Sequence, residues 1–176
     1  RKDMGEFYDN VDWDKTKAYA LGLNGLYLNL QDREFNGVVD PFGALKIITE
    51  IKKKLEQEKD PLNGKKIIRQ AYKPVDVYNG DYVDQAPDLV IGYEPGYRIS
   101  DTATLGKFPK QVINDRTDKW SSDHCMDPNV VPGVFLSNKR IIADDPALQD
   151  LAATIIKQFG IKPPADMSNK PVLEDT

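Results

Sequence analysis

Between Gly25 and Leu30 the chain alternates, with Leu26, Leu28 and Leu30 apolar against Tyr27 and Asn29. That period of two predicts a strand. The period then changes. Phe42, Leu45, Ile48, Ile51 and Leu55 recur every three or four residues behind Asp40-Pro41, an N-cap followed by a proline at the first helical position, so a helix is expected with this stripe on the sheet and Lys52 to Lys54 in water. Asp60-Pro61-Leu62-Asn63-Gly64 has the composition of a turn, and Lys66 to Tyr72 reads as a short strand after it. Residues 74–87 read as a loop or short hairpin turn around Tyr78-Asn79-Gly80-Asp81-Tyr82. Asp88 to Tyr93 is an apolar run bounded by Pro87 and Pro95-Gly96, the mark of a buried strand.

Further on the pattern weakens and then sharpens. Residues 1–20 read as an ordered loop with spaced aromatics, and residues 98–123 lack periodicity; a long irregular stretch inside a compact domain is usually functional or lid-like. Val131 to Leu136 is expected to be a strand. Asp144-Asp145-Pro146 repeats the cap-and-proline signal, Leu148, Leu151, Ala152, Ile155, Ile156 and Phe159 follow at helical spacing, and Gly160 should stop the helix. Only residues 169–176 look like a loose tail. Strands and helices alternate, so the expected class is α/β, a layered sheet with flanking helices.

Composition narrows the chemistry. With 176 residues the chain can bury the core of one domain and no more. Charged residues make up 30% and the net charge is -4, without a basic face, which argues against a nucleic acid polymer as partner. The single cysteine, Cys125, excludes an internal disulfide and a Cys-rich zinc module. No apolar segment approaches the ~20 residues of a membrane span. Localisation stays open.

One histidine is present, His124, within Trp120-Ser121-Ser122-Asp123-His124-Cys125-Met126-Asp127-Pro128. A lone histidine is more often a packing or surface residue than a ligand; this one sits between acidic residues and ahead of an apolar run, where Asp123 or Asp127 could orient the ring of a ligating imidazole. Cys125 is read as a packing residue. Arg33 and Asn29 lie at the end of the first strand, where a guanidinium fork suits phosphate oxygens. Two readings stand for them: substrate contacts, or a salt bridge and a turn hydrogen bond.

Three separated stretches carry a resemblance. The first is Val11 to Ala20 running into Gly25 to Leu30 and Arg33-Glu34; the second is Ala86 to Val90 with Gly96-Tyr97-Arg98, leading to Trp120 through Asn138; the third is Leu148 to Phe159 with Gly160-Ile161, Pro164, Asp166-Met167 and Lys170-Pro171. In this order they resemble the predicted phosphohydrolases and phosphomutases of the alkaline phosphatase superfamily related to type I phosphodiesterases and nucleotide pyrophosphatases. The chain departs from that pattern at Asp32 and Asn169, where the family has Gly, and at Ala153, where it has Pro; these positions govern turns and helix geometry.

The resemblance implies the C-terminal part of an alkaline-phosphatase-like fold, residues 1–176 forming a single partial domain. It further implies a hydrolase of phosphate mono- or diesters, nucleotides included, with two divalent metal ions, zinc first and manganese as an alternative. His124 would be one metal ligand. A two-metal site needs roughly half a dozen ligands and a Thr or Ser nucleophile, so the remainder of the same polypeptide is the expected partner and this chain alone should be inactive. Thr16 is not the expected nucleophile, which in the family lies upstream beside aspartate ligands. Two alternatives remain: a phosphomutase with the same metal site, or an independent non-catalytic domain that binds through residues 98–123.

Overall fold

A computed structural model describes residues 11–104, 111–121, 125–167 and 170–174. The backbone divides into two compact units, Arg1–Pro132 and Gly133–Thr176. The first is a four-stranded sheet with one long helix; the second is built on one helix. The expected mixture of strands and helices is present, and the sheet is antiparallel throughout.

In the first unit, strand β1 (Ala18–Leu21) pairs with β2 (Gly25–Leu28) across the turn at Gly22. The long helix α1 (Pro41–Gln57) leads to β3 (Ile68–Tyr72), and β4 (Leu89–Tyr93) closes the sheet in the order β1-β2-β4-β3. Strands β2 and β3 therefore run the same way with β4 between them, a split β-α-β arrangement. The core consists of Leu28, Val39, Ile48, Ile68, Ala71, Leu89 and Ile91, with Ala44, Ile47, Ile51 and Leu55 of α1 packed against it. β1 is a strand where the sequence reads as a loop. Its Tyr19 stacks on Tyr27 of β2, with ring centroids 5.6 Å apart.

Helix α1 starts as its sequence predicts. The Asp40 carboxylate accepts from Phe42 N at 2.9 Å and Pro41 occupies the first turn. The stripe on the sheet is rotated from the expected one: Ala44, Ile48, Ile51 and Leu55 face inward at i, i+4, i+7 and i+11, and Phe42 and Leu45 are exposed. Lys53 and Lys54 face water, but Lys52 reaches back to donate to Ala71 O while Glu56 accepts from Ala71 N at 3.0 Å. This pair covers the backbone groups of an edge strand that would otherwise pair with another chain.

Between β3 and β4 the chain forms helix α2 (Pro74–Val77) and a 3-10 turn at Val83–Gln85 in place of a hairpin. Among the described residues of the 98–123 stretch, the short helix α3 (Asp101–Thr104) is held by Arg98 and Arg116, both of which bond the Asp101 carboxylate.

Val131 to Leu136, which runs across the boundary between the two units, is not a strand. Pro132 offers no amide donor, no described strand pairs with the segment, and Val134 and Leu136 are exposed. Helix α4 (Leu148–Gln158) begins at Ala147, two residues after the expected cap Asp145, because Asp150 reaches back to accept from Ala147 N at 3.0 Å. Gly160, at φ +70°, ends it as expected. The expected loose tail is tied down over its described residues: Val172 is fully buried, accepts from Ile142 N, and donates to the Thr154 hydroxyl at 3.2 Å.

Candidate functional site

His124, Asp123 and Asn169 lie outside the described residues. What can be placed is the segment immediately after His124. Asp127 is completely buried, and four groups hold its carboxylate: the Tyr72 hydroxyl at 2.6 Å, the amide and the side-chain Nδ2 of Asn129, both at 2.9 Å, and Arg69 Nε at 3.7 Å. Burial pushes this acid upward, but the hydrogen bonds and the guanidinium outweigh it, so the carboxyl sits below its ordinary range. The Tyr72 phenol is shifted the other way, by burial first and then by the adjacent carboxylate. An acid lowered on folding adds stability above its unfolded pKa, and a phenol raised on folding adds it below about 10; the contact is therefore fully formed between the carboxylate and phenol ranges and weakens beyond either.

Gly92 makes this docking sterically feasible. A Cβ there would lie 2.4 Å from Asp127 Oδ2, closer than any side chain tolerates. The chain is pinned a second time by Asn24, whose Nδ2 donates to Cys125 O at 3.1 Å and to Ile91 O at 2.6 Å. Asn24 Oδ1 is buried and accepts no hydrogen bond from a described residue. Residues 125–130 are thus fastened to β4 and β3 by a buried carboxylate and a strand-turn amide.

Arg33 and Asn29 are engaged by the protein itself. The Arg33 fork grips Asp88, with Nη2 to Oδ2 at 2.7 Å and Nη1 to Oδ1 at 3.2 Å, while Nη2 also donates to Leu28 O at 2.6 Å and Nε to Glu34 at 3.1 Å. Asp88 in turn accepts from Leu28 N at 2.6 Å. The Asn29 side chain is buried and donates through Nδ2 to Trp13 O and Thr16 O, and the Asn29 backbone carbonyl accepts from Val38 N and Val39 N. This geometry favours the structural reading of both residues. Asp32, just before Arg33, takes φ +66°, the left-handed backbone that a glycine would adopt without strain.

A cleft of about 300 Å3 opens beside them, lined by Trp13, Tyr19, Leu21, Asn29, Glu34, Phe35 and Asn36. Trp13 stands edge-on to Tyr19, with centroids 5.5 Å apart and planes at 84°. The Tyr19 hydroxyl donates to Glu34 Oε1 at 2.9 Å, and its pKa is pushed up to about 12 by burial and then by that carboxylate. Trp120, by contrast, is largely exposed, with Lys119 Nζ 5.7 Å from its ring centroid.

Among the described residues no three His, Cys, Asp or Glu side chains converge as a metal site. No family model, curated protein or solved structure gives a significant match to this chain. Among the described residues no helix is long and apolar enough to cross a membrane.

The sequence left two arrangements unseen. Asp127 stood in it as an orienting group for His124, yet its described partners are Tyr72, Asn129 and Arg69; the available clue was Gly92, because a glycine inside an apolar strand marks a close approach by something else. The cleft joins residues from 13 to 36 through a hairpin that the pattern did not predict.

Proposed function

We propose that this chain is the C-terminal part of a metal-dependent phosphoric ester hydrolase, of phosphodiesterase, nucleotide pyrophosphatase or phosphatase type, to which it contributes His124 as one ligand of a two-metal site. The proposal rests first on the three ordered stretches that resemble the alkaline phosphatase superfamily. The observation that carries it further is the buried Asp127 anchor. Burying a carboxylate is costly unless several donors meet it, and here Tyr72, Asn129 and Arg69 do so three residues beyond the only histidine. Such an anchor fixes Asp127 on the sheet, the kind of rigid footing that a neighbouring metal ligand requires, since metal–ligand bond lengths tolerate only tenths of an ångström.

The histidine's imidazole fits zinc or manganese. Its ligand partners and the Thr or Ser nucleophile would come from elsewhere in the polypeptide, with the metal ions lowering the barrier by neutralising charge on the transferred group. Arg33 has no part in this reading as a phosphate contact, since its fork already holds Asp88.

The test is His124→Ala in the complete polypeptide, with bis-(4-nitrophenyl) phosphate as the probe substrate and the bound metal counted. Turnover should fall by about two orders of magnitude or more, with fewer metal ions retained, because an open coordination position weakens nucleophile activation and charge neutralisation together. Unchanged turnover and metal content would remove His124 from the site.

A further inference from the structure

Helix α4 buries one side and leaves a regular apolar seam on the other. Asp150, Ala153 and Thr154 are buried, while Leu148, Ala152, Ile155 and Phe159 are all exposed. These four stand 4, 3 and 4 residues apart, the spacing that lines one edge of a helix for packing against a second helix. Single apolar residues in solvent are ordinary; a continuous seam along the whole of an 11-residue helix marks a surface that another chain covers. The charges at its two ends are arranged as regularly. Asp145 is exposed three residues before Leu148, and Lys162 is exposed three residues after Phe159. The seam has no part in the hydrolase reading.

Both patterns are self-complementary. An antiparallel helix pair related by a two-fold axis level with Ala153 and Thr154 sets Leu148 against the partner's Phe159 and Ala152 against the partner's Ile155, each contact occurring twice. A small side chain then faces a large one in the middle layers, and Asp145 approaches the partner's Lys162 at both ends, with the helix dipoles opposed. A parallel pair would set Ala152 against the partner's Ala152, leaving a gap between larger layers, and would bring like charges together at each end. A lipid surface fits less well, since interfacial helices are basic and residues 144–162 carry three aspartates and two lysines. We infer that the α4 seam binds a second copy of this chain as an antiparallel helix pair. Such a short helix buries less than the ~1,200 Å2 at the lower limit of stable interfaces, so the dimer is weak and the chain is a monomer at micromolar concentration.

Sedimentation equilibrium of this chain at low salt, from about 5 to about 500 micromolar, should show a reversible monomer–dimer equilibrium with Kd on the order of 100 micromolar. Ile155→Asp, which puts an unpaired charge into each middle layer, should weaken association at least about tenfold with helical circular dichroism unchanged. Phe159→Ser, the milder variant, should weaken it several-fold. The sense of the helices is read from charge reversal. Asp145→Lys and Lys162→Asp chains should each self-associate several-fold more weakly than the parent, because like charges then meet at both ends, and a mixture of the two should recover the parent affinity, because opposite charges meet again. In the complete polypeptide the same substitutions should act in the same way. A chain that stays monomeric up to about 500 micromolar, unaltered association in Ile155→Asp, or no recovery in the mixture would each overturn the proposal. So would dimers of this chain that the complete polypeptide does not form, since another segment would then cover the seam.

Discussion

Helices α1 and α4 look alike in sequence and differ in what they bury. Each follows an Asp-Pro signal and carries apolar residues at helical spacing. Helix α1 sets Ala44, Ile48, Ile51 and Leu55 against the sheet, and its cap is the predicted Asp40. Helix α4 buries Asp150, Ala153 and Thr154 and leaves Leu148, Ile155 and Phe159 exposed. The buried face of α4 is held by hydrogen bonds: the Thr154 hydroxyl donates to Asp150 O at 2.7 Å and accepts from Val172 N. Periodicity therefore shows which face of a helix is apolar, and says nothing of what covers it. A sheet formed in the same unit gave α1 a surface to cover; among the described residues of its own unit, α4 has the short Ile141 to Leu173 bridge in place of a sheet.

The largest effect should come from removing the side chain at the centre of the sheet core. Leu28 is fully buried among Val39, Ile48 and Leu89, and Leu28→Ala should cost about 2–5 kcal/mol through lost burial and a cavity. Val172, equally buried in the second unit, is smaller and lies beside polar Thr154, so Val172→Ala should cost about 1–3 kcal/mol. Hydrogen exchange resolved by residue separates the two, since amides of β2 and β4 report the first substitution and amides of α4 the second. Equal losses would mean that the second unit has a stronger core than its few buried residues indicate.

The same contrast explains how much of the molecule could be read from sequence. The α1 cap, the turn at residues 60–64, the strands near 68 and 89 and the glycine stop at Gly160 all depend on local chemistry, and all appear. Features that depend on distant partners did not. Whether Val131 to Leu136 pairs, whether Lys52 faces water or the Ala71 carbonyl, and which face of α4 is covered are settled by contacts across tens of residues. In the candidate site, Arg33 could be read as a fork awaiting two oxygens, but not that Asp88, 55 residues away, supplies them. Asp127 and Gly92 could each be noticed singly, and only the fold brings them together.

The two caps give a smaller, sharper comparison. Asp40→Ala removes an acceptor from the Phe42 amide and should cost about 1 kcal/mol, the ordinary value for an N-cap. Asp145→Ala should cost far less, since α4 starts at Leu148 and its first free amide is met by Asp150. Thermal unfolding followed by helical circular dichroism checks both. A loss at Asp145 equal to that at Asp40 would restore the sequence-predicted helix start.

The smallest expected change tests the exposed stripe itself. Leu148, Ile155 and Phe159 lie at i, i+7 and i+11 on α4, and Phe159 is 77% exposed. Phe42 on α1 is 99% exposed, despite belonging to the stripe that its sequence assigned to the core. Substitutions at solvated positions away from caps and buried polar groups change stability by no more than about 0.5 kcal/mol. Phe159→Ser and Phe42→Ser should both fall within that limit in denaturant titrations, with unchanged slopes because neither alters the area exposed on unfolding. A loss above about 1 kcal/mol at Phe159 alone would mean that the α4 stripe is covered in solution, and the contrast between the helices would then reduce to their caps.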